Sequence, residues 1–243
     1  MSVAVSAVIP VKDEAGNVGP LAREIAAALT SGDMAGEAHE IIFVDDGSTD
    51  GTPEALAALK TELPQLRVLR HDRNLGQSRG IRSGVAAAKA PTIVTLDGDG
   101  QNDPADIPKL LAMLRADPAL GMVSGIRVKR RDNASRRIAS RLGNGFRNRM
   151  LGDGASDTGC GLKAFRRDAF LALPYFDHMH RFLIALVQRE GWRVAYVPVN
   201  HRPRLTGASK YTNLGRLLVS VFDLLGVRWL QRRHRGRAEI REL

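Results

Sequence analysis

The chain has 243 residues, of which 44% are hydrophobic and 26% are charged, and its formal net charge is +10. This composition can form one substantial core and argues against both a disordered chain and an integral membrane protein. Cys160 is the single cysteine, so the sequence excludes an intrachain disulfide and a cysteine-based zinc site and favours a reducing, cytoplasmic location.

Short apolar runs alternate with segments of helical periodicity through the first half of the chain. The predicted strands are Val3–Ile9, Glu40–Val44, Arg67–Leu69, Thr92–Leu96 and Met122–Ser124. The predicted helices are Asn17–Leu29, Thr52–Glu62, Gln77–Ala88 and Ile107–Arg115. The alternation predicts an α/β fold with a mainly parallel sheet and helices on both faces. Such sheets bind ligands at the carboxyl ends of their strands.

The second half continues less regularly, and no linker rich in Gly, Ser or Pro divides the chain. Its predicted strands are Leu162–Phe165 and Arg193–Val199, and its predicted helices are Met179–Arg189 and Asn213–Trp229. We therefore expect a single domain over residues 1–225, followed by a basic tail over residues 226–243.

The charge is distributed unevenly along the chain. Residues 1–119 contain 11 Lys and Arg against 17 Asp and Glu, whereas residues 120–243 contain 25 against 9. This polarity indicates that the first half binds a cation and the second half an anion such as a phosphate or a lipid headgroup. A generally basic, soluble surface is the alternative interpretation.

Acidic residues follow two of the predicted strands. Asp45-Asp46 ends the second strand, and Asp97-Gly98-Asp99-Gly100-Gln101 follows the fourth. Carboxylates on alternate residues of a tight turn can bind one Mg²⁺ or Mn²⁺ ion, and the glycines allow the backbone to approach a ligand. A nucleotide diphosphate would supply the remaining oxygen ligands. Alternatively, the two aspartates are solvated turn residues.

Neither a G-x-G-x-x-G turn after the first strand nor a P-loop occurs in the sequence. Seven other segments, in order, are Val8-Ile9-Pro10 with Glu14, Val44–Asp50, Asn74-Leu75-Gly76, Asp97–Gln101, Gly125-Ile126-Arg127, Asp157–Gly161 and Arg204–Lys210. In these segments the chain resembles the family 2 glycosyltransferases, and within them the dolichyl-phosphate mannosyltransferase and bacterial polyprenyl-phosphate glycosyltransferase branch. The resemblance covers roughly residues 3–225.

The resemblance implies a GT-A fold and inversion at the sugar carbon. The family pattern assigns Pro10, Glu14 and Asp46 to the nucleoside pocket, Asp97, Asp99 and Gln101 to the metal, Arg204 and Lys210 to the diphosphate, and Arg127, one of Arg136 and Arg137, and Ser140 to the acceptor phosphate. Gly98 would line the donor site, and Asp97, Asp99, Arg127 and Arg204 would be the catalytic set. The implied reaction transfers a sugar from GDP-mannose or a UDP-sugar to a dolichyl or undecaprenyl phosphate.

The chemistry of the acceptor supports a phosphate. A sugar hydroxyl needs a general base, whereas a phosphate monoester with a second pKa near ~6 is already mostly dianionic at neutral pH and needs only positioning by cations. From Arg127 to Arg149 the chain has nine Lys and Arg residues and one acidic residue, Asp132. Arginine can hold a phosphate through two hydrogen bonds.

Two alternatives remain at this stage. The first is an enzyme of the same fold that glycosylates a hydroxyl acceptor, with Asp157 as the base. The second is a non-enzymatic nucleic-acid-binding module, which would explain the basic second half but neither Asp97-Gly98-Asp99 nor Asp45-Asp46.

The end of the chain predicts peripheral binding to an anionic membrane at its inner face. The predicted helix Asn213–Trp229 has a polar face with Asp223 and an opposite apolar face with Val221, Phe222 and Leu225. Four arginines follow it: Arg232, Arg233, Arg235 and Arg237. An amphipathic helix with adjacent basic residues is typical of proteins that lie on anionic lipid. Docking of the apolar face on the core is the alternative.

Overall fold

The computed structural model describes residues 2–128, 145–203 and 213–236. The strands are β1 Val5–Val11, β2 His39–Asp45, β3 Leu66–Arg70, β4 Thr92–Thr95, β5 Leu120–Arg127, β6 Lys163–Arg166 and β7 Arg193–Val199. The helices are α1 Ala15–Leu29, α2 Thr52–Glu62, α3 Gln77–Ala87, α4 Ile107–Ala116, α5 over residues 145–151, α6 Arg167–Leu171, α7 Leu183–Arg189 and α8 Asn213–Arg233. Short 3₁₀ helices occupy Gly32–Met34, Pro104–Asp106 and Met179–Arg181.

The strands form one sheet in the order β3-β2-β1-β4-β6-β5-β7. All neighbours pair in parallel except β6, which is antiparallel to both β4 and β5. The predicted α/β fold with a mainly parallel sheet is therefore confirmed. Because β6 is reversed, its first residue, Lys163, lies near the edge where the parallel strands end.

Helices cover both faces of the sheet, as expected. On one face the core contains Ile25 of α1, Leu56 of α2 and Leu110 of α4. On the other face it contains Val85 of α3 and Leu186 of α7, together with buried residues of α6 and α8. Successive strand residues point to opposite faces. The central strands are therefore apolar at almost every position.

The last helix, α8, has two apolar sides within its described part. Leu224 and Val227 are buried against the helical layer that contains α7. Phe222 is 72% exposed and Trp229 is 57% exposed, and Val221 and Leu225 are also exposed. The sequence predicted a single apolar face, which is wrong because a second set of apolar residues docks on the core.

The expected tail at residues 226–243 begins inside α8, which continues to Arg233. Arg189 Nε donates a hydrogen bond to Leu230 O at 3.0 Å, and Gln231 Nε2 donates to Leu151 O at 3.0 Å. The C-terminal turns of the helix are therefore attached to the domain. Within the described ranges, no helix combines the length and apolar character needed to cross a bilayer.

Candidate active site at the carboxyl edge of the sheet

The loops after β1 and β2 hold each other in place. Asp13 N donates to Ser48 Oγ at 2.9 Å, and Thr49 N donates to Asp13 Oδ1 at 2.8 Å. Glu14 N donates to Thr52 Oγ1 at 2.8 Å. Asp13 adopts a positive φ of 53°, a conformation that aspartate tolerates better than most residues. These reciprocal bonds build one rigid rim at the predicted nucleoside pocket, and Glu14 lies in it.

Asp46, predicted to bind the nucleoside, is a buried anchor for the turn before α3. Its Oδ1 accepts a hydrogen bond from Leu75 N at 2.9 Å, and its Oδ2 accepts one from Gly76 N at 2.8 Å. His71 Nδ1 lies 2.7 Å from Oδ1, and His71 Nε2 lies 2.9 Å from Ser83 Oγ. Asp46 therefore fixes the N-terminus of α3, and any contact with a nucleoside would be additional to these bonds.

The Asp97–Gln101 turn lies directly against the end of β1. A Cβ at Gly98 would be 2.5 Å from Val11 Cγ1 and 3.1 Å from Pro10 O, so only glycine fits without displacement. Asp99 Oδ1 accepts a hydrogen bond from Gln101 N at 3.2 Å, which closes the turn. Pro10, predicted for the nucleoside pocket, thus borders the predicted metal site.

The carboxylate of Asp97 is held from several directions. Gln77 Nε2, in the first turn of α3, donates to Asp97 Oδ1 at 2.7 Å. Asp97 N donates to Asn102 Oδ1 at 3.1 Å. A Cβ at Gly161 would lie 2.3 Å from both Cγ and Oδ2 of Asp97, so this glycine gives the carboxylate its space. Burial and the charge of Asp99 raise the pKa of Asp97, opposed by Lys163, Gln77 and Arg127.

Arg127, predicted to bind the acceptor phosphate, forms an ion pair with Asp157. Its Nε donates to Asp157 Oδ2 at 2.8 Å and its Nη2 donates to Oδ1 at 2.7 Å. The backbone N of Arg127 also donates to Oδ2 at 3.1 Å. Burial disfavours the charged guanidinium, but the hydrogen bonds and charge of Asp157 outweigh it and raise the pKa of Arg127. Both side chains are largely buried.

The segment after β7 returns to the Asp97–Gln101 turn. Arg202 N donates to Gln101 O at 2.9 Å, and Gln101 Nε2 donates to Arg202 O at 3.4 Å. The Arg202 guanidinium contacts Glu24 and Asp103 at 2.6 Å each. The described segment that ends at residue 203 therefore lies beside the predicted metal site. The predicted residues Arg136, Arg137, Ser140, Arg204 and Lys210 lie outside the described residues.

Four polar residues of this edge were not predicted for the site from the sequence: Gln77, His71, Lys163 and His180. His180 Nδ1 lies 2.8 Å from Ser78 Oγ, one residue from Gln77. Gln77 and Ser78 follow the Asn74-Leu75-Gly76 segment, which was a usable signal. Lys163 gave no signal, because it opens the apolar strand Lys163-Ala164-Phe165.

The donor atoms at this edge suit a hard divalent cation that is shared with a diphosphate. Two carboxylates and the amide of Gln101 come together on one turn, and the Gln101 nitrogen is engaged by Arg202 O, which leaves its oxygen for a cation. Among the described residues, no group of three or more His, Cys, Asp or Glu side chains is arranged to hold a metal ion alone. Ligands from a bound substrate would have to complete the coordination.

Two relatives are similar over most of the chain. The dodecaprenyl-phosphate galacturonate synthase of Rhizobium johnstonii is 35% identical over 235 residues, covering 95% of this chain and 68% of that protein. The undecaprenyl-phosphate 4-deoxy-4-formamido-L-arabinose transferase of Edwardsiella ictaluri is 37% identical over 223 residues, covering 91% and 66%. The chain thus spans about two thirds of the length of each relative.

Solved structures share the fold at low sequence identity. A mannosyltransferase from Pyrobaculum calidifontis in complex with GDP-Man and Mn²⁺ has a TM-score of 0.66 at 19% identity, covering 98% of this chain and 66% of that one. Glucosyl-3-phosphoglycerate synthase from Mycobacterium tuberculosis, in complex with Mn²⁺, UDP-Glc and glycerol 3-phosphate, has a TM-score of 0.64 at 18% identity, covering 94% and 80%. These similarities establish the GT-A fold.

The family itself is shown by the sequence. The description of the matching family is glycosyl transferase family 2, and the match covers residues 6–173, from β1 through α6. These residues include every strand end described above except that of β7. The chain belongs to glycosyl transferase family 2.

Proposed function

We propose that the protein transfers a sugar, with inversion, from a nucleotide-diphosphate sugar to a polyprenyl phosphate. The observation that carries the proposal is the placement of an acidic turn beside a buried arginine at one edge of the sheet. The proposal assigns Asp97 and Asp99 to the donor side and Arg127 to the acceptor side, and Arg127 is close enough to Asp97 to affect its pKa. Both relatives are named for lipid-phosphate acceptors, which supports the same acceptor here.

On the donor side, Asp99 and the Gln101 oxygen, with Asp97 behind them, would hold Mg²⁺ or Mn²⁺ against the diphosphate. The metal would neutralise the nucleoside diphosphate as it leaves. The rim formed by Asp13, Glu14 and Ser48 would bound the nucleoside, and Arg204 and Lys210 would reach the diphosphate. The Mn²⁺ complexes of two proteins with this fold support a divalent cation.

On the acceptor side, the Arg127 guanidinium would orient a phosphate oxygen for attack on the sugar carbon. Its bonds to Asp157 use Nε and Nη2, which leaves the remaining edge of the guanidinium for an anion. Asp157 thus fixes the plane of the Arg127 guanidinium before the acceptor binds. Arg136 or Arg137, together with Ser140, would complete the phosphate site. Preorganised cations of this kind stabilise charge without rearrangement during the reaction.

The competing hydroxyl acceptor would require Asp157 to act as a general base. Three hydrogen bonds from Arg127 already occupy the Asp157 carboxylate, so a substrate hydroxyl would have to compete with them for the same oxygen atoms. The geometry therefore favours a phosphate nucleophile, which needs no base.

The product distinguishes the two acceptors. We expect incubation with a labelled nucleotide sugar, Mn²⁺ and a short-chain prenyl phosphate to give a lipid-extractable sugar phosphate that mild acid cleaves. An acid-stable glycoside, formed only with a hydroxyl acceptor, would contradict the proposal. An Asp157→Asn protein separates the mechanisms further, because loss of a base would change the pH profile of transfer, whereas loss of the Arg127 partner would mainly weaken acceptor binding.

A lipid acceptor requires contact with a membrane, and we assign this contact to the exposed side of α8. Phe222, Leu225 and Trp229 lie on this side, Arg233 lies 5.8 Å from the centre of the Trp229 ring, and Arg228, Arg232 and Arg235 are nearby in sequence. Aromatic and aliphatic side chains next to arginines are typical of helices that lie on anionic lipid. The proposed location is peripheral, at the inner face of the membrane.

Co-sedimentation with anionic liposomes tests this contact. We expect the double variant Phe222→Ser, Trp229→Ser to reduce bound protein severalfold, because it removes apolar area that is outside the core. Met113→Ser is the matched control, since Met113 is 38% exposed on α4. Removal of residues 237–243 measures the tail separately without cutting α8. Unchanged binding of the double variant would rule out the helix as the contact.

A further inference from the structure

Lys163 is a buried lysine with no role in the proposed reaction. The residue is 4% exposed, and its Nζ donates a hydrogen bond to the carbonyl oxygen of Cys160. A buried ammonium group is costly unless an anion compensates it. Burial lowers the pKa of Lys163, and the nearby acidic groups Cys160, Asp97 and Asp157 oppose that shift, so the ammonium form depends on a neighbouring anion.

The strand register brings Lys163 close to Asp97. Lys163 of β6 is the antiparallel partner of Thr95 of β4. Asp97 follows two residues after Thr95 and points to the same face, because a Cβ at the facing residue Gly161 would meet its carboxylate. Diagonal neighbours across an antiparallel pair are about 7–8 Å apart, a distance that a lysine side chain can bridge.

The other charges of the cluster are already matched. Arg127 and Asp157 share three hydrogen bonds and compensate each other. The hydrogen bond to the Asp97 side chain comes from the neutral amide of Gln77. The ammonium group of Lys163 and the carboxylate of Asp97 are the remaining opposite charges of this cluster, and they interact through space rather than through a direct hydrogen bond.

We propose that Lys163 is the built-in counter-ion of Asp97 and a positioning residue for the acidic turn. From the buried side it attracts the carboxylate, and through Cys160 O it also holds the loop that carries Gly161. Thr95 Oγ1 fixes the same loop by donating to Gly161 O at 3.1 Å. The first aspartate of the turn is therefore held in position before any cation or nucleotide binds.

A double-mutant cycle on the purified protein in the presence of a chelator tests the pairing. The four proteins are the wild type, Lys163→Met, Asp97→Asn and the double variant, and the thermal midpoint of each is measured at one neutral pH. If Lys163 compensates the charge of Asp97, Asp97→Asn changes the thermal midpoint more favourably when Lys163 is absent than when it is present. We expect the shift caused by Asp97→Asn to be more positive by about 2–6 °C in the Lys163→Met background.

Two controls separate charge pairing from a general effect on the fold. Lys163→Arg keeps the charge, so Asp97→Asn should shift its midpoint as it shifts that of the wild type. Lys109, an exposed lysine whose Nζ contacts the buried Asp106 at 2.6 Å, provides the matched lysine, and Lys109→Met should be additive with Asp97→Asn. If Lys163→Met does not fold, Lys163→Gln replaces it in the cycle.

Equal shifts from Asp97→Asn in both backgrounds would overturn the proposal. The cycle contains no metal, nucleotide or acceptor, so its result is independent of the proposed reaction. If the cycle shows coupling but the protein does not transfer sugar, the counter-ion proposal stands and the proposed function fails. If the protein transfers sugar but the cycle shows no coupling, the proposed function stands and the counter-ion proposal fails.

Discussion

Replacing Gly161 with alanine should disable the candidate metal site while the fold stays intact. Gly161 is in the loop before β6. The Asp97 carboxylate occupies the space that a side chain at residue 161 would need. A Cβ there would lie 2.3 Å from Cγ and Oδ2 of Asp97 and 2.5 Å from Oδ1. All three atoms of the carboxylate are thus affected by a single added methyl group.

The size of the effect follows from these distances. Non-bonded carbon atoms in contact are ~3.5–4.0 Å apart, so the carboxylate or the loop must move by roughly 1 Å. The loop resists, because Thr95 Oγ1 and Gly125 N hold the carbonyl oxygens of Gly161 and Leu162 at 3.1 and 3.0 Å. The carboxylate therefore moves and loses its bond to Gln77. A misplacement of about 1 Å costs on the order of 10²-fold in rate.

The assay is sugar transfer at a series of Mn²⁺ concentrations, together with thermal unfolding. We expect Gly161→Ala to reduce kcat about 100-fold and to raise the Mn²⁺ concentration needed for half-maximal rate. Gly226→Ala is the matched control, because Gly226 lies in α8 with open space around its missing Cβ, so transfer should be unchanged. A Gly161→Ala protein with the wild-type rate would refute the placement of Asp97 in the site.

Three further outcomes are expected. Burial favours the neutral form of Glu40, but hydrogen bonds from Ser6, Lys89 N and Arg67 outweigh burial and lower the pKa of this carboxyl group. The ionised Glu40 therefore stabilises the fold fully above the unfolded-state pKa, and this stabilisation disappears as the pH falls through the folded-state pKa. Urea unfolding should therefore show Glu40→Gln less stable by about 1.5 kcal/mol at neutral pH and no different in strong acid, and a constant difference would contradict this. Arg127→Lys keeps the charge but loses one bond to Asp157, so separate titrations should show acceptor binding weakened more than nucleotide binding; equal losses would make Arg127 structural. Asp99→Asn should abolish metal-dependent transfer at an unchanged thermal midpoint, and full activity in excess EDTA would contradict the role of the metal.

The periodicity of the sequence predicted most elements within a few residues. The helix Thr52–Glu62 and the strand Arg193–Val199 have the predicted bounds, because Gly, Pro and apolar spacing define both ends locally. The first strand was predicted as Val3–Ile9 but is Val5–Val11. Its end depends on pairing with β2 as far as Asp45, and pairing is a tertiary property that one segment cannot reveal.

The contacts of the candidate site were harder to predict. Asp46 and Arg127 stood out in the sequence, but their partners, His71 and Asp157, lie 25 and 30 residues away along the chain. Spacing identifies a residue suited to a ligand, but it cannot show that another side chain already contacts it. The same limitation applies to α8, where the residues that dock and the residues that face solvent are equally apolar.

The reversed strand β6 has a consequence for how this enzyme could diverge. Hydrogen bonds join β5 to β6, so the connection between Arg127 and Lys163 begins and ends on neighbouring strands of a fixed sheet. Doubling the length of such a connection costs only about 0.6 kcal/mol of closure entropy. Insertions or replacements can therefore accumulate on the proposed acceptor side while the proposed donor side, built from the first four strands, keeps its geometry. Under the proposed assignment of the two sides, the same donor chemistry could then be combined with different acceptors.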